Sequence, residues 1–107
     1  MRQCQPCGRS VCGSCWLYVV ADRSGGYPVK VGISNHPVRR LGQHRKDRRR
    51  DLYLAHRVEL RCQFDAAAAE ALALAILEPR RTRGDWFDCS PALVIDVINS
   101  VHEGMAA

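Results

Sequence analysis

The 107-residue sequence has no apolar run long enough for a bilayer: its longest such stretch, Ala66 to Leu77, is broken by Glu70, whereas a span needs about 20 residues. It also shows no secretory leader. Its first fifteen residues are rich in Cys, Gly, Gln and Ser rather than apolar, so a reducing cytoplasm is the expected compartment. There is no internal repeat, no Walker loop and no nucleophile triad, which sets aside solenoids, P-loop hydrolases and serine-type acyl transfer. Acids are outnumbered. Eleven Asp and Glu face sixteen Lys and Arg, for a net charge of +5 and an isoelectric point near 9.1, which suits a polyanionic partner.

An apolar fraction of 47% with 25% charged residues describes one small globular domain with a single core. A chain of this size buries only about two thirds of its unfolded surface, so extra staples are useful. Six cysteines are available. Cys4, Cys7, Cys12 and Cys15 form C-x2-C-x4-C-x2-C, with Gly8 and Gly13 beside them. Each pair spans a turn short enough for both thiolates to reach one tetrahedral Zn2+. The expectation is a structural zinc extension over residues 1–15, with an iron-sulfur cluster, a redox dithiol or a reduced tail as alternatives. Cys62 and Cys89 stand alone in apolar contexts and read as small buried residues.

Trp16 to Ala21 and Val29 to Ser34 read as two strands of an antiparallel hairpin. Alternation places Leu17, Val19 and Ala21 on one face with Val29, Val31 and Ile33. The other face carries Trp16, Tyr18 and Val20 beside Lys30, Gly32 and Ser34, with a side-chain-free gap at Gly32 able to admit a phosphate or a backbone. Pro37 suits a first helical turn capped by Asn35 or His36. Arg40 and His44, four apart, project from one side of that helix. Between Pro37 and Arg50 there are seven basic residues and one acid, Asp47; Arg39, Arg45 and Lys46 are its candidate phosphate contacts.

Leu52 to Cys62 is expected as a third strand with Leu54, Val58, Leu60 and Cys62 inward and His56 on the same parity as a hydrogen-bonded core histidine. Asp65 is the expected N-cap of the next helix, which must stop near Glu78 because Pro79 follows. Glu70 lies on the side of Leu74 and Leu77, at the edge of a buried face, where a carboxylate needs a cation, a metal or donors. Arg80 to Arg83 reads as a basic turn. Trp86 and Phe87 read as core, and Ser90-Pro91 starts a last helix through His102.

The ordered set Trp16-Leu17-Tyr18, Lys30-Val31-Gly32, Arg40 in a helix, Glu70 in a second helix and the late Gly84-Asp85-Trp86-Phe87 resembles the GIY-YIG endonuclease superfamily, nearest its phage and bacterial branch. The likeness covers Trp16 to His102. It implies an α+β fold, a three-stranded antiparallel sheet flanked by helices, over residues 16–103 with a short tail at 104–107. It further implies metal-dependent hydrolysis of DNA phosphodiesters, with RNA left open as a substrate. By that resemblance Tyr18 orients or deprotonates water, Gly32 is the close-approach glycine, Arg40 clamps the phosphate and Glu70 holds Mg2+ or Mn2+. His44 would assist proton movement or bind phosphate, and Lys30 would favour the Tyr18 phenolate.

The pattern also has departures. Lys30 stands where the name-giving tyrosine of the second motif falls, and the asparagine that many members place after the glutamate has no match here. Two other classes therefore stand beside the enzyme: a catalytically weak DNA-binding or regulatory module on the same fold, and a zinc-linked protein interaction adaptor.

Overall fold

A computed structural model describes residues 14–24, 28–48 and 51–106. Cys4, Cys7 and Cys12 lie outside the described residues, as do Arg49 and Arg50 of the basic run. The elements run β1 (Cys15–Asp22), β2 (Val29–Ser34), α1 (Pro37–Arg48), β3 (Leu52–Leu60), α2 (Gln63–Leu77), a 3-10 turn (Glu78–Arg80), β4 (Arg81–Arg83), β5 (Trp86–Phe87) and α3 (Pro91–Ala106).

The hairpin forms as its alternation requires. Tyr18 opposes Gly32 and Val19 opposes Val31. The expected three-stranded sheet is overturned: the sheet has five strands in the order β3-β1-β2-β5-β4, every neighbouring pair antiparallel. Its two extra strands come from the basic turn and the two aromatics, where β5 pairs Phe87 with Val29 and Trp86 with Lys30. Segments of three and two residues are too short to show a period of two. Only their hairpin, closed by Gly84 in a left-handed conformation (φ 57°), and the free edge of β2 make them strands.

β3 departs from its expected parity. Val19 opposes His56 but Val20 opposes Leu54, which leaves Ala55 as an extra, unpaired residue in β3. Such a bulge reverses the side-chain faces beyond it. Val58 and Leu60 therefore join the face of Leu17, whereas Leu52 and Leu54 pack with Tyr18 and Val20 on the other. Cys62 is not in β3. It is the N-cap of α2, with an extended backbone and no side-chain cap bond, and Asp65 falls in the first turn, paired with Arg61.

The remaining helix boundaries follow local chemistry. The Arg40 amide donates to the His36 carbonyl and Ser34 Oγ accepts from the His36 amide, so Pro37 enters α1 as its first residue. Ser90 Oγ accepts from the Leu93 amide and caps α3, a bond worth about 1 kcal/mol. Pro79 ends α2 at Leu77.

Helices α2 and α3 cover one sheet face. Ala66, Ala69, Ala73 and Leu77 of α2 and Val94, Ile98 and Val101 of α3 close over Leu17, Val19, Ala21, Val29, Val31 and Phe87. Each large apolar side chain buried there contributes roughly 1.5–3 kcal/mol. Helix α1 covers the opposite face, where Leu41 packs with Tyr18, Val20, Leu52 and Trp86. His56, half-buried, donates from Nε2 to Asn99 Oδ1, 2.7 Å away, across the β3 and α3 interface, the hydrogen-bonded histidine expected there. No helix among the described residues is long and apolar enough to cross a membrane.

Candidate active site

The smaller face of the sheet holds the polar chemistry. Tyr18, 1% exposed, projects from the middle of β1 because its neighbours Leu17 and Val19 fill the main core. Its ring crosses onto β2 over Gly32. A Cβ at Gly32 would lie 2.6 Å from Tyr18 Oη and 2.7 Å from Cζ, distances that a side chain cannot occupy. The gap expected at Gly32 is thus filled by the Tyr18 ring, and the glycine holds the phenol in place.

Tyr18 Oη lies 3.0 Å from His44 Nε2. His44 comes from the second turn of α1, is 8% exposed, and meets Trp86 edge-on with ring centroids 6.4 Å apart. A histidine clamped between a phenol and an indole has one ring orientation and a fixed partner for Nε2. Burial pushes the Tyr18 phenol above its ordinary value, while the Arg40 guanidinium beside it pulls it down by charge and hydrogen bonding. The cation acting on Tyr18 is therefore Arg40. Lys30, expected in that part, donates instead to Asp85 Oδ2 at 3.1 Å and lies over the Trp86 ring.

Glu70 enters from α2, partly buried. Burial first, then the negative charge of Asp85, hold its carboxyl above the usual carboxylate range, and Lys30 lowers it. Glu70 and Asp85 also both act on the Tyr18 phenol. Guanidinium and carboxyl, distant in the chain, thus each lie within electrostatic reach of the phenol. Arg40 itself is exposed and donates to Gln43 Oε1 at 2.6 Å. It lines an open cleft of about 520 Å³ with Ser34, Asn35, His36, Arg39 and Gln43. A second cleft of about 460 Å³ is lined by Lys30, Arg83, Gly84, Asp85 and Trp86.

The other expected site residues divide. Arg39 lines the first cleft and Lys46 is exposed on α1. Arg45 uses Nε to donate to the Leu52 carbonyl at 2.7 Å, tying α1 to β3. Cys15 opens β1, is 1% exposed and packs in the main core. Burial pushes its thiol up, with Cys62 and Glu70 adding to the effect. Among the described residues no group of three or more His, Cys, Asp or Glu is placed to hold a metal ion.

Sequence reading attached no site role to Asp85, took Trp86 as core and offered His36 only as a helix cap. Asp85 anchors the β4-β5 hairpin twice, by its carboxylate to Lys30 and by its carbonyl to the Val31 amide. Its signal was the Gly84-Asp85 turn, which brings an acid back to β2 opposite a lysine on the same face.

Fold and site together define a small α+β domain that presents a buried tyrosine-histidine pair and a partly buried carboxylate beside a basic helix. The family model for the T5orf172 domain matches residues 15–102, and the chain belongs to that family, which is related to GIY-YIG and homing-endonuclease-like nucleases. No curated protein and no solved structure matches it.

Proposed function

We propose that this domain is a metal-dependent endonuclease that hydrolyses DNA phosphodiester bonds by the GIY-YIG type of chemistry. The observation that carries the reading is the 3.0 Å contact between Tyr18 Oη and His44 Nε2, set beside Arg40 and Glu70. Hydrolysis needs a positioned water, a proton acceptor and positive charge on the nonbridging oxygens. A phenol held above its ordinary pKa is a poor base alone. With Nε2 of His44 unprotonated, Tyr18 donates its proton to that nitrogen while its oxygen accepts one from water, so His44 is the final acceptor and Tyr18 the relay. The buried pair thus avoids a free phenolate.

Arg40, exposed in the cleft with Arg39, would grip the phosphate and offset the charge that builds on it. Glu70 with Asp85 nearby suits a hard divalent cation, since Mg2+ is held by one or two carboxylates and keeps waters and substrate oxygens for the rest. Bound there, Mg2+ or Mn2+ would polarise the phosphate and stabilise the leaving oxygen. Lys30, fixed by Asp85, keeps the carboxylates partly neutralised before that happens.

Zn2+ at Cys4, Cys7, Cys12 and Cys15 is a separate proposal. Cys15, the one member of that set among the described residues, opens β1 and packs in the main core. Metal analysis of the purified protein and of Cys4→Ser tests it: stoichiometric zinc lost in the variant supports the site.

The enzymatic reading is tested with purified protein, supercoiled plasmid and Mg2+ or Mn2+, alongside Arg40→Ala and Glu70→Ala. Nicking that disappears in both variants supports the hydrolase. Salt-sensitive DNA binding without nicking would leave a DNA-binding module instead.

A further inference from the structure

A third cleft, of about 320 Å³, opens at the first turn of α1 beside the one that Arg40 lines. The two share Asn35, His36 and Arg39, so one extended ligand can run from the first into the other. Their chemistry differs. Beyond the shared residues and Arg40, the first cleft has Ser34 and Gln43, all of them polar, whereas the third has Trp16, Pro37, Val38 and Arg57. Val38 is 67% exposed, and the Arg57 guanidinium lies over the Trp16 ring, 4.6 Å from its centroid. The proposed hydrolysis uses none of these four side chains.

The sheet brings this pair to the site. Trp16 and Tyr18 are two residues apart on one face of β1, a separation of about 7 Å. Arg57 of β3 opposes Tyr18 and reaches along the sheet to Trp16. Trp16 is half-buried and Arg57 exposed, so the stack stands at the surface. We propose that Trp16 and Arg57 form a stacking platform for an unpaired nucleobase next to the phosphate that Arg40 grips, and that the domain acts on DNA carrying a bulged or single-stranded nucleotide at the point of cleavage. The proposal rests on the DNA reading of the site and adds the class of DNA.

A polar cleft with two arginines suits phosphate and sugar, whereas an indole beside Pro37 and Val38 suits a flat ring. Inside a duplex the faces of each base are covered by its neighbours, so only an unpaired base can lay a face on such a platform. Arginine fits this position, because its planar guanidinium stacks on an aromatic ring while its edge N–H groups still point outward as phosphate donors. Charge selects the same occupant. Arg39, Arg40 and Arg57 line the two clefts with no acidic side chain among them; Glu59, which opposes Trp16 in β3, lines neither. The pair of clefts thus offers cations to a backbone and an aromatic face to a base, and an acidic peptide would use only the first.

Fluorescence anisotropy of labelled DNA with the full chain, at one fixed salt concentration and without added Mg2+ or Mn2+ so that no cleavage competes, tests the platform. The probes are a blunt duplex, the same duplex with a thymidine bulge, and that bulge built from abasic sites, which keep the phosphates and lose the base. The thymidine bulge should bind at least about 5-fold more tightly than either of the others. Trp16→Ala should remove that preference and leave affinity for the blunt duplex unchanged. Arg57→Ala should reduce the preference, and Trp16→Phe, which keeps a ring, should retain most of it while losing the quenching of indole emission that the thymidine bulge causes in the parent chain. If circular dichroism shows Trp16→Ala unfolded, Arg57→Ala and Trp16→Phe decide. Equal affinity for thymidine and abasic bulges, or a preference that survives both alanine variants, overturns the platform and leaves the hydrolase standing. Binding to none of the probes overturns both, and a chain that keeps the preference but never nicks overturns the hydrolase alone.

Discussion

Leu17 and Tyr18 are adjacent in β1 and both are almost fully buried, yet their burial serves different ends. Leu17 belongs to a dry interface between the sheet and two helices, in which almost every contact is apolar. Tyr18 belongs to a thin layer under α1 in which a phenol, an imidazole and an indole meet. The first face supplies cohesion, the second a fixed constellation of polar atoms. Concentrating the apolar area on one face lets the other hold a group whose desolvation opposes folding, the raised Tyr18.

Substitutions should separate the two faces. Arg40→Ala and Glu70→Ala should each lower plasmid nicking by about 100-fold or more, in the range seen when one group that stabilises transition-state charge is lost, while melting temperatures change little. Leu17→Ala should do the reverse. Its loss of about 3–5 kcal/mol in urea unfolding should leave the rate per folded molecule near that of the parent chain. Were Leu17→Ala to abolish nicking at full folding, or Arg40→Ala to unfold the domain, the division between the faces would be wrong.

Gly32 sharpens the contrast, because it touches only the polar face. Gly32→Ala must displace the Tyr18 ring from its place 2.6 Å away, at about 1–3 kcal/mol, and should lower nicking together with the loss of the His44 contact. Gly42, with nothing within 4 Å of its would-be Cβ, is the control. Its change to Ala in α1 should stabilise by about 0.5–1 kcal/mol and leave nicking intact. Thermal melts and nicking rates of the two variants side by side provide the comparison.

A smaller effect concerns pH. The fold holds the Glu70 carboxyl above its ordinary 4.5, by burial and then by Asp85, so the native state favours the protonated form. That stabilisation is complete below the unfolded value and is lost as pH rises through the raised folded one. Glu70→Gln should therefore match the parent chain in acid and become the more stable of the two towards neutral pH. Urea midpoints measured from pH 4 to 8 would show the gap opening; a constant gap would mean that the fold does not raise the Glu70 carboxyl.

Local chemistry made much of this legible. Alternation in β1 and β2 separated Tyr18 from the core, Pro37 and Pro91 began helices, and Pro79 ended one. Each of those rules acts over a few residues. The bulge at Ala55 was invisible, because an extra residue in β3 has meaning only against the register of β1. The strands at Arg81–Arg83 and Trp86–Phe87 were invisible for a related reason: their hydrogen bonds are supplied by the edge of β2. Lys30 had Tyr18 and Asp85 both within plausible range, and nothing in the order of residues could choose between them.

By itself, the amino-acid order determined the hairpin, the starts of α1 and α3, the end of α2 and the basic character of α1, and it nominated a phenol, a guanidinium and a carboxyl for a phosphodiester site. Tertiary structure alone decided their company: Tyr18 with His44 over Gly32, Lys30 with Asp85, and Cys15 in the core. The physical reason is range. Backbone preferences and side-chain periodicity are set by neighbours in the chain, whereas burial, ion pairing and pKa shifts depend on groups that only the folded sheet brings together.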